Sequence, residues 1–578
     1  MYNYKKMKQE KEMKNLKKTI YCIFAGAILL GLSGCSKQEK TPKIVKNDDG
    51  SLTITRVDED GKAILFNKKY GDFDNVTVAD LKLSTKNNPV SVSLADYANI
   101  ALYLEFDCEM LVENPNASTT EITWMINEIN AGLPQLYNEK VPSGEWVKVS
   151  SKLFIVLGDK RSLYISGSTL DKENTKIYIK NFSLKLSGDG LGEQKFEALN
   201  WMDAPSLKEA YKDYFDYFGL AVTYNEELAR KQVQQGLVYH ADCITMGNEF
   251  KPDFIFAWNR PTEFTDFTGE DGKSYKVPLN PPKFSVADRC LNICKNNGLK
   301  MRGHVLVWHN QTPEWFFYED WGSTGSNELV SIDEMNARLE WYIKTVLNHI
   351  KDWEDTNNNG ERIVTTWDVV NEAISDNATD TSWVRPENSS RWTKIYKDET
   401  YIINAFRYAN RYAPKDVKLA YNDYGCYAKQ KRNAICKLID EIKATPDARI
   451  DVIGMQSHVK VDYPAITGKD SFEEAVQMFV EKGVNVQVTE LDIANGKSPN
   501  SDLRLKAIYN QYFNMFIRNR KTADKNGIEG VTIWGLNDEG TWLNALDEYN
   551  GYTQYPLLFR NSFTCKPAFY GVLEAAQK

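Results

Sequence analysis

The sequence predicts an α/β fold, a closed barrel of eight βα units, preceded by a separate all-β sandwich. Three observations predict it. From about residue 205 onward, short apolar strands alternate with amphipathic helices, the pattern of a parallel sheet with crossover helices. Upstream, residues 51–190 carry Val-, Ile-, Thr- and Tyr-rich runs separated by turn residues. Polar residues gather where the apolar strands end, which is where a (β/α)8, or TIM, barrel places its chemistry. The 578 residues give a soft prior of about four domains. One barrel with long loops absorbs about 370 of them, leaving a leader (1–34), a tether (35–50), the sandwich (51–190) and the barrel (200–578).

Composition narrows the function classes. Hydrophobic residues make up 42% and charged residues 26%, which is globular rather than disordered. A net charge of -8 excludes the basic excess of a nucleic-acid binder. The 14 Trp and 31 Tyr supply flat faces of the kind used to stack sugars.

The leader comes first in the chain. Ile20 to Leu32 is an apolar run too short to span about 30 Å of hydrocarbon, and a lysine-rich stretch precedes it. It closes on Leu32-Ser33-Gly34-Cys35, which resembles a bacterial lipobox. That resemblance implies an exported lipoprotein with Cys35 acylated, anchored to a membrane at the periplasmic face or the cell surface. Loss of residues 1–34, with seven Lys and two Glu, takes the net charge from -8 to about -13. Beyond Cys22 and Cys35 seven Cys remain, without a CxxC pair, and they are expected to be buried free thiols, including the helical neighbours Cys290 and Cys294.

In the sandwich, strands are expected over Ile100–Phe106, Gly144–Val149, Ser162–Gly167 and Lys176–Leu184. These runs resemble a carbohydrate-binding module of the jelly-roll type. Trp146 is expected in the core, with Trp124 and Tyr137 the better candidates for exposed stacking.

Barrel strands are expected to begin near Leu220, Cys243, Lys300, Thr365, Lys418, Asp451, Asn485 and Val531, with helices such as Ile332–Ile350 and Glu399–Tyr412 between them. The third strand runs from Met301 to His309, the fourth ends Asn371-Glu372, and the fifth ends Tyr421-Asn422-Asp423-Tyr424. The sixth ends Gln456-Ser457-His458, the seventh is Val486 to Asp492, and the eighth gives Thr532-Ile533-Trp534-Gly535. Such groups are costly to bury unpaired, and six such ends on one rim read as a site. No HxH or HExxH pair is present, so neither a metal nor another cofactor is expected. Asp355-x-Asn357-x-Asn359-Gly360 mimics half of an EF-hand, but Thr366 stands where the bidentate Glu should be; a polar loop is expected there. The economical chemistry is a carboxyl pair, Glu372 and Glu490, on opposite sides of the barrel mouth. One protonated and one ionised carboxyl are what glycoside hydrolysis needs.

Several motifs extend this reading. Arg302-Gly303-His304 with Trp308-His309-Asn310-Gln311-Thr312-Pro313, then Trp367-Asp368-Val369-Val370-Asn371-Glu372-Ala373, then Thr489-Glu490-Leu491-Asp492 occur in order. Together they resemble glycoside hydrolase family 10, the endo-β-1,4-xylanases, over about 205–578. The resemblance implies a retaining mechanism with Glu372 as acid/base and Glu490 as nucleophile. It places Asn371 on the sugar 2-hydroxyl in the -1 subsite and has His458 hold Glu490, with Asp492 behind it. Gln456 would stand beside Glu372. Asn248, Lys251, His304, Trp308 and Gln311 would line the glycone side, Trp534 and Trp542 would cover the -1 region, and Tyr424 would stack at +1. The partner implied is xylan or a xylo-oligosaccharide, met by a monomer. A β-1,4- or mixed-linked glucanase and a non-catalytic glycan-binding lipoprotein are the alternatives.

Three departures stand out. Gly247 replaces the family's usual Glu in Thr245-Met246-Gly247-Asn248-Glu249-Phe250-Lys251-Pro252, which should weaken the -2 subsite or open room for a decorated sugar. Gly425 replaces a frequent Asn near +1. The long loop from Arg260 to Lys283 is expected to reshape the glycone side of the cleft. The leader yields the first prediction. A clickable palmitate analogue should label the wild-type chain and not a Cys35→Ala variant; an unlabelled wild type would mean an ordinary signal peptide.

Overall fold

The computed structural model describes residues 43–46, 52–55, 101–127, 135–156, 162–166 and 176–187. It also describes 198–577, apart from 257–258, 280–281, 324, 326–327 and 497–501. The leader and Cys35 lie outside the described residues.

The N-terminal domain is two antiparallel sheets. β1 (Lys43–Lys46), β2 (Leu52–Thr55), β3 (Ala101–Glu113), β6 (Trp146–Val156) and β8 (Lys176–Ser187) form one, in the order β1-β2-β8-β3-β6. β4 (Thr119–Asn127), β5 (Gln135–Pro142) and β7 (Ser162–Ser166) form the other, in the order β5-β4-β7. Cys108, Met110 and Val112 alternate along β3 and are fully buried, as the period of two requires. Ile122 and Val141 are buried from the second sheet. Trp146 corrects an expectation: it is 44% exposed, because it opens its strand where β6 leaves the turn at Gly144. Trp124 and Tyr137 face each other in register across β4 and β5, and their side chains lie outside the described residues.

The second domain is a closed eight-stranded parallel barrel. Its strands are β9 (Tyr217–Val222), β10 (Cys243–Met246), β13 (Lys300–Gly303), β15 (Val364–Asn371), β16 (Lys418–Asp423), β17 (Val452–Met455), β19 (Asn485–Ala494) and β20 (Ile528–Ile533). Each pairs in parallel with the next, and β20 pairs with β9 to close the ring. β9, β10, β17 and β20 are buried along their whole length, so they read as mainly apolar runs rather than alternating ones, with Glu529 on β20 the charged exception. The helices between them carry ordinary signals. Ser331 caps Ile332–Asn357 by accepting from Glu334 N, and Gly298, at φ 67°, ends Ser285–Asn297 just before β13.

Four details differ from the sequence reading. The expected third strand is two pieces, β13 and β14 (Val307–Trp308). Between them His304 turns inward, where its Nδ1 meets Asp368 Oδ2 at 2.9 Å. The sixth strand likewise breaks at Ser457, φ 65°, before β18 (His458–Lys460). Asp355 and Asn357 lie in the last turn of a helix rather than in a loop, and Asp355 pairs with Lys351 and Arg362. The segment 260–283 folds into a hairpin, β11 (Phe264–Thr268) with β12 (Ser274–Pro278), against the outer helices. Glu270 pairs there with Arg407 and Arg411, and Lys273 with Asp333. Its described residues therefore brace the barrel wall instead of lining the cleft. The seven described Cys, 290 and 294 among them, are buried free thiols.

Charge runs through the barrel axis. Arg302 on β13 forks onto both oxygens of Asp368 on β15, at 3.1 and 2.7 Å, with both side chains fully buried. Arg302 Nε also donates to Gln487 Oε1 at 2.7 Å, and Gln487 Nε2 donates to Glu529 Oε1 at 2.8 Å. Burial pushes the Asp368 carboxyl up, but Arg302 and His304 outweigh it and hold it below the usual carboxylate range. Asp368→Ala leaves the Arg302 charge buried and unpaired, so urea unfolding should show a loss of about 3–5 kcal/mol, whereas a well-packed Arg302→Met/Asp368→Leu pair should lose clearly less.

Candidate active site

The C-terminal ends of the barrel strands enclose a cleft of about 620 Å³. Asn248, Lys251, His304, Trp308, Gln311, Asn371, Glu372, Tyr424, Gln456, His458, Glu490, Trp534 and Trp542 all line it. Asp492 lies behind His458.

Three side-chain amides tie the two carboxylates together. Asn371 Oδ1 accepts from Asn422 Nδ2 at 2.9 Å and from Gln456 Nε2 at 3.1 Å. The same Asn422 nitrogen donates to Glu490 Oε1 at 2.7 Å, and the same Gln456 nitrogen donates to Glu372 Oε1 at 2.9 Å. Both NH2 groups aim at one oxygen, which orients the Asn371 amide. Asn422 Oδ1 in turn accepts from Thr489 Oγ1 at 2.6 Å. Gly454 makes room for it, because a Cβ at 454 would lie 2.3 Å from that oxygen.

The carboxylates sit in unlike surroundings. Glu372 Oε2 accepts from Trp308 Nε1 at 2.9 Å, so both its oxygens meet neutral donors. His309 Nδ1 is 4.0 Å from Oε2, and burial, then the charges of Arg385 and Lys431, pull that imidazole down to about 3, so it stays neutral. Glu490 instead faces His458 Nε2 at 3.2 Å. Burial pushes Glu490 up, but the His458 and Asn422 hydrogen bonds and the nearby imidazoles hold it below its ordinary value. His458 Nδ1 lies 2.9 Å from Asp492 Oδ1, an ion-pair distance without hydrogen-bond alignment. Asp492 Oδ2 accepts from Trp542 Nε1 at 2.9 Å, fixing a ring that is 41% exposed to the cleft. Burial alone would lower His458, but Asp492 and Glu490 raise it to about 10.

Glu372 carries backbone strain. Its φ is 55°, the left-handed region that a non-glycine residue rarely adopts. Its N–H donates to Asn422 O at 2.9 Å and Arg385 Nε donates to its carbonyl at 2.6 Å. The following two N–H groups, of Ala373 and Ile374, donate to Tyr421 Oη. That hydroxyl donates to buried Asp423 at 2.5 Å. Burial pushes Asp423 up to about 6, against the pull of Lys431 at 2.8 Å.

The two ends of the cleft differ. At one, Lys251 Nζ donates to Gln311 Oε1 at 2.9 Å and to Asn248 Oδ1 at 3.2 Å, and stands 4.9 Å over the Trp308 ring. Burial lowers its pKa, against the nearby charges of Glu490, Asp253 and Glu372. At the other, Tyr424 donates to Asp376 Oδ2 at 2.6 Å and has Lys431 Nζ 3.6 Å from its ring centroid. One face of that ring is therefore already occupied. Gly425, at φ 61°, continues this wall.

Residues 206–575 match the model of glycosyl hydrolase family 10. The chain belongs to this family. Among family relatives, endo-1,4-beta-xylanase Y of Acetivibrio thermocellus is 28% identical over 501 residues, covering 84% of this chain and 43% of that protein. The bifunctional endo-1,4-beta-xylanase XylA of Ruminococcus flavefaciens is 34% identical over 373 residues, covering 64% of this chain and 34% of that protein. The chain thus spans less than half the length of either. A putative endo-1,4-beta-xylanase of Caldicellulosiruptor saccharolyticus is 38% identical over 314 residues, covering 53% of this chain and 94% of that one. The crystal structure of the endo-1,4-beta-xylanase from Caldicellulosiruptor owensensis superposes with a TM-score of 0.52 at 30% identity, over 64% of this chain and 99% of that one. The CBM22-1 and GH10 modules of Clostridium thermocellum xylanase 10B, complexed with xylohexaose, share the fold of both domains. Their TM-score is 0.54 at 23% identity, over 92% of this chain and 93% of that one.

In this family 10 chain, the sequence reading passed over Asn422, Asp368, Arg385 and Glu227. Asn422 stood in a polar strand end, but nothing local distinguishes an uncharged hub from a strand cap. Arg385 lies on a loop that sequence spacing does not connect to Glu372. The raised His458 value generates a prediction. A folded pKa above the ordinary 6.5 adds stability that is fully present below about pH 6.5 and is lost as pH rises toward 10. Unfolding free energy should fall over that window, and His458→Asn should flatten the slope.

Proposed function

We propose that this chain is a retaining endo-β-1,4-xylanase that cleaves internal bonds of xylan with Glu372 as acid/base and Glu490 as nucleophile. The observation that carries the reading is the pair of glutamates, Glu372 just past the end of β15 and Glu490 within β19, tied through Asn371 in one cleft. Their surroundings support the division of labour. Glu490, beside a protonated His458, is held ionised and ready to attack. Glu372 meets only neutral donors and takes the proton-carrying role.

The first displacement forms a bond from a Glu490 oxygen to the anomeric carbon. The glycosidic C–O bond breaks, and the Glu372 proton goes to the leaving oxygen. The transition state carries oxocarbenium charge, which the Glu490 carboxylate meets at close range. In the second displacement Glu372 takes a proton from water, the hydroxide oxygen attacks the anomeric carbon from the vacated side, and the ester bond to Glu490 breaks. His458 helps Glu490 depart as an anion. The Asn371 amide, with its oxygen held by two donors, keeps its nitrogen to donate to the sugar 2-hydroxyl. The glycone lies on the Asn248, Lys251 and Gln311 side, and the aglycone on the Tyr424 side.

The N-terminal sandwich belongs to this proposal as a carbohydrate-binding module, and Cys35 as a lipid anchor that keeps the enzyme at a membrane. Reducing-end release should be seen from xylan, well above that from cellulose or mixed-linked glucan. Proton NMR during hydrolysis should show β-configured product first. Glu490→Ala should lower kcat by about 10⁴-fold or more with an unchanged unfolding curve. α-Configured product first would overturn the mechanism, release chiefly from glucan would reassign the substrate, and no release at all would leave a glycan-binding lipoprotein.

A further inference from the structure

The rim between β20 and β10 holds a carboxylate that the mechanism above does not use. β9 runs into a wide helical turn, Tyr224–Leu228, which presents Glu226 and Glu227 to the cleft. Glu227 Oε2 is fixed by Thr223, whose N–H donates at 2.7 Å and whose hydroxyl donates at 3.3 Å. Among the described residues no hydrogen-bond donor meets Oε1. That oxygen points across the rim toward the loop bearing Trp542, because a Cβ on Gly540 would stand 3.8 Å from it. Among the described residues no ion pair reaches this carboxyl; burial pushes it up, and the charges of Glu226 and Glu249 add to that. Glu249 is spent elsewhere, accepting from Tyr224 N at 2.6 Å and Asn248 N at 3.2 Å.

Gly247 lines the same cleft. A Cβ on Gly247 would find its nearest neighbours, Val222 O and Thr223 Cγ2, at 3.6 and 3.7 Å. A Cβ there meets only ordinary van der Waals contacts, so a side chain can begin at 247 without a clash, and the chain supplies none. A half-buried carboxylate with one free oxygen and no counter-charge is unfavourable unless a donor arrives. The donors a neutral polysaccharide brings are hydroxyls, and a hydroxyl-to-carboxylate bond is among the stronger neutral-to-charged contacts. An acidic decoration would be repelled by Glu226 and Glu227 together.

We propose that Glu227 is a specificity-determining residue that accepts a hydroxyl of a neutral glycone sugar beyond the -1 position, in the space that Gly247 leaves open. This rests on the reading of the cleft as a xylan site with its glycone on the Asn248 side. The bland alternative is that Glu227 only caps its own turn through Thr223.

The test compares para-nitrophenyl β-xyloside with para-nitrophenyl β-xylobioside, the latter reaching one sugar further into the glycone side. Glu227→Ala should lower kcat/KM on the xylobioside at least ten-fold more than on the xyloside, chiefly through KM. Glu227→Gln can still accept from Thr223 N through its amide oxygen, so the turn survives. It should show a selective loss in the same direction but smaller, since its NH2 can only donate to a hydroxyl where the carboxylate accepted a charge-assisted bond. Adding Gly247→Glu to Glu227→Ala should recover part of the xylobioside preference. Equal losses on both substrates, with a lowered Tm, would mean a structural cap and overturn the proposal, as would no loss. A wild type inert on both glycosides would overturn the xylan reading, and the role of Glu227 with it.

Discussion

A single acceptor atom, Asn371 Oδ1, organises the catalytic centre. It receives Asn422 and Gln456, and each of these passes its remaining hydrogen-bonding capacity to one glutamate. Four barrel strands or their extensions meet through this bridge, so the spacing of the two carboxylates is set by backbone register rather than by flexible side chains. The bridge needs space as well as donors. Gly454 on β17 provides it, since any side chain there would collide with Asn422. A site held this way is prepared before substrate arrives, and electrostatic stabilisation in a dry cleft is most effective under that condition.

The charges around the bridge are distributed unequally. Asp368 is matched by Arg302 and His304, Asp423 by Lys431, and Glu490 by a His458 that Asp492 keeps protonated. Each of these three acids has its cation. Glu372 has amide and indole donors instead, and a strained backbone pinned by Arg385 and by the hydroxyl of Tyr421. The proposed double displacement uses this asymmetry. The anion that attacks is stabilised by charge, while the group that shuttles a proton meets only neutral hydrogen-bond donors.

Much of this was legible in the residues. The barrel strands announce themselves, because a strand buried on both faces is mainly apolar, and the buried polar residues that interrupt β13, β15, β19 and β20 pair with one another inside the barrel. The misreadings have a common physical source. The third strand reads as continuous from Met301 to His309, yet the chain breaks so that His304 can reach Asp368, 64 residues away in sequence. The hairpin 264–278 reads as a cleft loop, but Glu270 finds Arg407 and Arg411 on an outer helix. Trp146 reads as core by its type, and a strand-opening position leaves it exposed.

The sequence by itself determined the fold class, the order of the strands and the two glutamates carried by β15 and β19. These depend on local periodicity and on polar residue types that are costly to bury unpaired at a strand end. Only the tertiary structure decided which neutral residue joins the glutamates, which cation serves which acid, and that Glu227 stands at the rim of the cleft that Gly247 also lines. Such pairings are made between strands far apart in the chain, where a hydrogen bond depends on register and on the room a glycine leaves, and neither is written in local sequence.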